Sequence, residues 1–87
     1  MNVNRIPVYV VVPTYNEAQS ILVLLEEVFG LGIENIHVLI VDDNSPDSTA
    51  KVARCYARNN RLSVSILNRP TKKGLGSAYV EGFKEVL

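Results

Sequence analysis

Between residues 38 and 48 the chain reads Val-Leu-Ile-Val-Asp-Asp-Asn-Ser-Pro-Asp-Ser, and this stretch limits the possible fold more than any other. Val38, Leu39, Ile40 and Val41 are apolar and mostly β-branched, with no polar residue in alternation. A strand of that kind is buried on both faces, as in a parallel sheet covered by helices. The run stops at two acids. Asp42 and Asp43 have poor strand propensity and cost several kcal/mol each to bury unpaired, so they belong where the strand leaves the sheet. Helix-starting chemistry follows at once, because Asn44 or Ser45 can cap and Pro46 suits a first helical position. In open parallel sheets ligands bind outside the carboxyl ends of the strands, so Asp42 and Asp43 sit where a ligand would be met.

The flanking segments repeat this plan. Residues 8–12 are a second near-continuous apolar run, bracketed by Pro7 and Pro13, and read as an inner strand ending at Pro13. In the turn that follows, Asn16 is the expected helix N-cap, with Gln19 at the third position after it. Ala18, Ile21, Leu22, Leu25, Val28 and Phe29 then keep the spacing of one helical face, which Gly30 and Gly32 end. After the acid pair a helix is expected over 46–59, with Ala50, Ala53, Tyr56 and Ala57 on one side and Lys51, Arg54 and Arg58 on a solvated face. Residues 62–67 alternate apolar with serine, as a strand covered on one face and nearer the sheet edge would. A loop over 68–76 leads to a last helix from about Ser77. The order β-α-β-α-β-α with right-handed crossovers makes an α/β, Rossmann-like, three-layer half of a doubly wound, mostly parallel sheet.

Composition narrows the function classes. Eighty-seven residues make at most one small domain, and a parallel sheet wants helices on both faces, so the chain reads as part of a domain. Nine basic and nine acidic side chains cancel, which leaves no overall field for nucleic acid and argues against that partner. The single cysteine, Cys55, has no internal disulfide partner and is expected as a small, buried or half-buried apolar residue. No apolar run approaches the roughly 20 residues of a membrane-spanning helix, and the first residues lack a signal-peptide pattern. The resulting expectation is a cytoplasmic chain.

The first strand-to-helix turn contains no glycine, so it matches neither the Gly-x-Gly-x-x-Gly of dinucleotide sites nor a P-loop. Gly74 and Gly76 come only after the third strand. The first two turns instead present Tyr15, Glu17, Asp42 and Asp43. Carboxylates accept hydrogen bonds from ribose hydroxyls and base N–H groups, and a tyrosine ring can stack on a base. They would repel a diphosphate, so cations are needed near it, from a metal or from Lys72 and Lys73 in the third turn. Glu17 and Asp47 also have the plainer role of acids at helix starts, and His37, at the opposite end of its strand from the acids, reads as structural.

Three spaced strings now carry a resemblance: Val-Pro-Thr-Tyr-Asn-Glu at 12–17, Val-Asp-Asp-Asn-Ser-Pro-Asp-Ser-Thr at 41–49, and Lys-Gly-Leu-Gly-Ser-Ala-Tyr at 73–79 with Gly82-Phe83. Together they resemble the inverting family-2 glycosyltransferases of GT-A fold, and within them the dolichol-phosphate or polyprenol-phosphate mannosyltransferases. The resemblance implies that residues 1–87 are the N-terminal nucleotide-binding portion of a longer GT-A domain, with a nucleotide-sugar donor, GDP-mannose first. It implies that Pro13, Tyr15 and Glu17 line the nucleoside pocket, that Asp43 holds base or ribose, that Asp42 supports the turn, and that Lys73 and Gly74 close the third side. The implied acceptor is a polyprenyl or dolichyl phosphate, which would bring the enzyme to the cytoplasmic surface of a membrane. A divalent cation, Mg2+ or Mn2+, would stabilise the leaving diphosphate. The family's metal-binding Asp-x-Asp lies on the next strand, so its ligands and any catalytic residue are expected outside this chain.

Two rivals stand beside this reading. A receiver-type phosphotransfer domain also carries Leu-Ile-Val-Asp-Asp-Asn, but with the acids on the first strand and an aspartate ending the third, where this chain has Asn68. A non-catalytic binding module would keep the half-sheet without the chemistry.

Overall fold

The computed structural model describes residues 7–70, which form two and a half turns of a β-α repeat: β1 Val8–Thr14, α1 Ala18–Phe29, β2 Ile36–Asp42, α2 Thr49–Asn60 and β3 Val64–Asn68. The strands are parallel in the order β1-β2-β3, with Val12 opposite Ile40 and Ile40 opposite Ile66. The helix expected from Ser77, together with Lys72, Lys73, Gly74 and Gly76, lies outside the described residues.

The unbroken apolar run of β2 does what its pattern predicts. Val38, Ile40 and Val41 are fully buried and Leu39 is nearly so. Val38 and Ile40 face the core formed with Ile21 and Leu25 of α1 and Ala53 of α2, joined by Val10, Val12, Val64 and Ile66. Both helices therefore cover one face of the sheet, and burying each large side chain there contributes about 1.5–3 kcal/mol. Leu39 and Val41 point the other way, into a second cluster with Val11 and Leu67. On α2 the buried positions are Thr49, Ala53 and Ala57, four residues apart, and the alanines let the helix backbone approach the sheet closely.

Several boundaries differ from expectation. Strand β1 continues through Pro13 to Thr14. Val8 N–H donates to Asn35, and Thr14 C=O accepts from Asp43, so even-numbered residues of β1 face β2. Pro13 is out of phase with them, and its missing N–H lies on the edge that no described strand pairs. Helix α1 begins at Ala18 with Glu17 as its N-cap, not Asn16, which sits one residue earlier in left-handed backbone at φ 55. Helix α2 begins at Thr49, not near Pro46. Asn44 and Ser48 both take left-handed backbone, so residues 43–48 are spent in a turn that a helix cannot include. Strand β3 starts at Val64, two residues late. Cys55 is exposed rather than buried, since it lies about 200° around α2 from Ala53 on a helix of 3.6 residues per turn.

Candidate functional site

Parallel register brings the carboxyl ends of all three strands to one edge, with Thr14 opposite Asp42 and Asp42 opposite Asn68. The ladder runs one residue further on each side of β2. Asp43 N–H donates to Thr14 C=O at 3.1 Å, and Arg69 N–H donates to Asp42 C=O at 2.8 Å. The acid pair is thus clamped between its two neighbours by backbone before any side chain acts.

Both acids are buried, at 2% and 6% exposure, which demands partners for each. They find different ones. Asp42 accepts from the Thr14 hydroxyl at 2.6 Å, the Ser45 hydroxyl at 2.6 Å and Ser45 N–H at 2.9 Å. Asp43 accepts from Arg69 Nε in an ion pair whose side chains are 7% and 1% exposed. Consecutive strand residues point to opposite faces, so one turn carries two carboxylates in separate settings.

The turn after β2 also organises the turn after β1. Asn16 N–H donates to Ser45 Oγ at 2.9 Å, Glu17 N–H to Thr49 Oγ1 at 2.9 Å, and Ala18 N–H to Asp47 Oδ2 at 3.1 Å. Asp47 also accepts from Thr49 N–H at 3.1 Å and from the Thr49 hydroxyl. It therefore serves the starts of both helices, and the Thr49 hydroxyl first, then these amides, hold its carboxyl below the usual carboxylate range. One chemical consequence is an exclusion. Helix N-termini bind anions through unsatisfied amides, but these amides of α1 already have side-chain acceptors, one of them a carboxylate. A diphosphate does not belong there.

Of the residues singled out from sequence, Tyr15 and Glu17 are exposed beside the acid turn, and the Glu17 carboxylate accepts from the Ser20 hydroxyl at 2.6 Å. Pro13, Thr14 and Glu17 line the upper end of a groove of about 480 Å³ that continues down the flank of α1 past Ile21 and Leu24. Asp42 and Asp43 do not line it. Lys73 and Gly74 lie outside the described residues. His37 is remote from the site, at the other end of β2. There it contacts Tyr9 edge-on at 5.7 Å and shares hydrogen bonds with Ser63 and Ser65. Among the described residues no three His, Cys, Asp or Glu side chains converge as metal ligands, and Asp42 and Asp43 are committed to Thr14, Ser45 and Arg69. They do not fit a divalent cation.

Sequence reasoning passed over Arg69, Thr14 and Thr49, and gave Ser45 only a capping role for its own helix. A signal for Arg69 existed: once Asp42 is opposite Asn68, the next residue of each strand stands beside the other. For the hydroxyls there was none, since serine and threonine after a strand are ordinary turn residues.

Comparison with known proteins follows the same stretch. Residues 9–87 match the family described as glycosyl transferase family 2. A polyprenol monophosphomannose synthase of Mycolicibacterium smegmatis is 38% identical over 74 residues, which are 85% of this chain and 28% of that protein. An undecaprenyl-phosphate mannosyltransferase of Micrococcus luteus is 42% identical over 77 residues, 88% of this chain and 31% of its own length. A dolichol-phosphate mannosyltransferase of Pyrococcus furiosus is 39% identical over 83 residues, 90% and 22% respectively. The chain thus spans less than a third of each of these curated relatives. Among solved structures, the mannosyltransferase PcManGT of Pyrobaculum calidifontis, in complex with GDP-Man and Mn2+, superposes with a TM-score of 0.84 at 25% identity. The overlap covers 94% of this chain and 25% of that one.

Proposed function

The chain belongs to glycosyltransferase family 2, and we propose that its two acidic turns form the nucleoside end of a site for a nucleotide-sugar donor, GDP-mannose first. The observation that carries the reading is the clamped acid pair. Asp42 is consumed by Thr14 and Ser45, while Asp43 is held by Arg69 at the carboxyl edge of the sheet, its N–H bonded to the C=O of Thr14, the residue before the exposed Tyr15. Carboxylate and aromatic ring are what base N–H groups, ribose hydroxyls and a base face require. The relatives' names and the GDP-Man of the structural neighbour favour mannose and guanosine over other donors.

In this reading Pro13, Tyr15 and Glu17 line the nucleoside pocket, Asp43 accepts hydrogen bonds from base or ribose, and Asp42 keeps the turn in shape. Lys73 and Gly74 close the pocket on the third side. The capped start of α1 turns the diphosphate away from that helix and toward the rest of the domain. There the phosphate oxygen of a polyprenyl or dolichyl phosphate attacks the anomeric carbon, the glycosidic C–O bond to the diphosphate breaks, and the configuration inverts. A divalent cation, Mg2+ or Mn2+, supplies charge stabilisation to the leaving diphosphate when bound, from ligands beyond the described residues. The lipid acceptor brings this portion to the cytoplasmic surface of a membrane, although no described helix is long and apolar enough to cross one.

The test is titration of GDP into the protein at its full natural length, in wild type and Asp43→Ala. A hydrogen bond to a charged group is worth about 1.5–3 kcal/mol, so affinity should fall roughly tenfold to a hundredfold. Unchanged affinity in a folded variant would remove Asp43 from the site. Binding of UDP as tight as GDP would remove the guanosine assignment.

A further inference from the structure

We propose that Arg69 is a positioning residue for donor binding, acting through the buried ion pair that fixes the direction of the Asp43 carboxylate. The proposal rests on the reading of Asp43 as the nucleoside contact and adds a residue that the three sequence strings do not contain.

The geometry separates Arg69 from a surface cation. Its side chain is 1% exposed, it donates from Nε to Asp43 Oδ1, and its backbone N–H is anchored on Asp42 C=O at 2.8 Å. Pro70 follows at once, and its C=O accepts from the Asn44 side chain at 3.2 Å. The segment after β3 is therefore tied at three successive points to the turn after β2. Proline at position 70 also restricts Arg69 to extended backbone.

Asp42 is held by three donors from its own and the preceding turn, and Asp43 by the Arg69 guanidinium. An aspartate carboxylate rotates easily about its last bond, and a single ligand hydrogen bond gains most when the acceptor is already oriented. A guanidinium bonded through Nε is planar and stiff, so it restrains the carboxylate plane in a way that a lysine ammonium, a point charge, does not.

The experiment measures the Kd of GDP by calorimetry on the full natural-length protein for wild type, Asp43→Asn, Arg69→Gln, Arg69→Lys and the double variant Asp43→Asn/Arg69→Gln. Positioning predicts that Asp43→Asn weakens binding at least tenfold and Arg69→Gln about as much. The double variant should be no weaker than Asp43→Asn alone, because a positioning role is exerted on the donor through Asp43. Arg69→Lys should recover part of the loss seen in Arg69→Gln. Removing one partner of a buried pair destabilises strongly, whereas removing both leaves no orphan charge. If Arg69→Gln does not fold, Arg69→Lys decides the matter: weaker binding than wild type supports positioning, and wild-type affinity overturns it. A double variant more than threefold weaker than Asp43→Asn, or a folded Arg69→Gln with wild-type affinity, overturns the proposal. If Asp43→Asn itself binds GDP as wild type does, it is the reading of Asp43 as nucleoside contact that falls.

Discussion

Replacing Asp42 by alanine should damage the fold through the turn that it organises. Its carboxylate accepts from Thr14 Oγ1, Ser45 Oγ and Ser45 N–H, and it is 2% exposed. Hydrogen bonds to a charged group contribute about 1.5–3 kcal/mol each, but three at one carboxylate do not add in full. Ser45 is half-buried, so its donors can turn to water. Thr14, at 5% exposure, cannot, and its hydroxyl is left without an acceptor at a cost of about 1–3 kcal/mol. The loss should be about 3–5 kcal/mol, a large share of the 5–15 kcal/mol typical of a whole domain. Asp42→Asn keeps one oxygen, sets an NH2 against another donor, and should cost about 1–3 kcal/mol. Urea unfolding of the full natural-length protein, followed by circular dichroism, gives both numbers. Amide exchange adds a local readout, because Asn16 N–H rests on the same Ser45 hydroxyl that Asp42 receives and should lose protection with it. A loss below about 1 kcal/mol for the alanine variant, or equal losses for both variants, would refute this account of the turn.

Thr49→Val keeps the shape of a fully buried side chain but removes the acceptor of Glu17 N–H, and should cost about 1–2 kcal/mol by the same unfolding assay. Asp47 has its carboxyl lowered by the Thr49 hydroxyl and neighbouring amides. Its stabilising contribution is therefore present above the unfolded-state value and lost as pH falls through the folded one. Asp47→Asn should flatten the decline of stability below about pH 4, and an unaltered acid limb would dismiss that linkage. Tyr15→Ala should weaken GDP binding by about 1–3 kcal/mol if the base stacks on it. Equal affinity of the variant and wild type would take Tyr15 out of the pocket.

Sequence alone determined the sheet. Four apolar residues without alternation, ended by two acids, read as an inner parallel strand opening onto a polar edge, and Val38, Leu39, Ile40 and Val41 are buried as that reading requires. The helical face of Ile21 and Leu25 was equally legible, because periodicity encodes burial directly. The edge itself was only half legible. Residue types placed Asp42, Asp43, Tyr15 and Glu17 at the right turns, but helix starts were misjudged because capping rules assume that each turn caps its own helix. Here Ser45, Asp47 and Thr49 reach 29 to 32 residues back to serve α1, and Asn16 and Ser48 take left-handed backbone to allow it. Only tertiary structure could decide that the two neighbouring acids have unlike partners, neutral donors for Asp42 and the Arg69 guanidinium for Asp43. The physical reason is that partner choice depends on which face of the strand each acid takes and on what the adjacent strand, 26 residues further on, sets beside it.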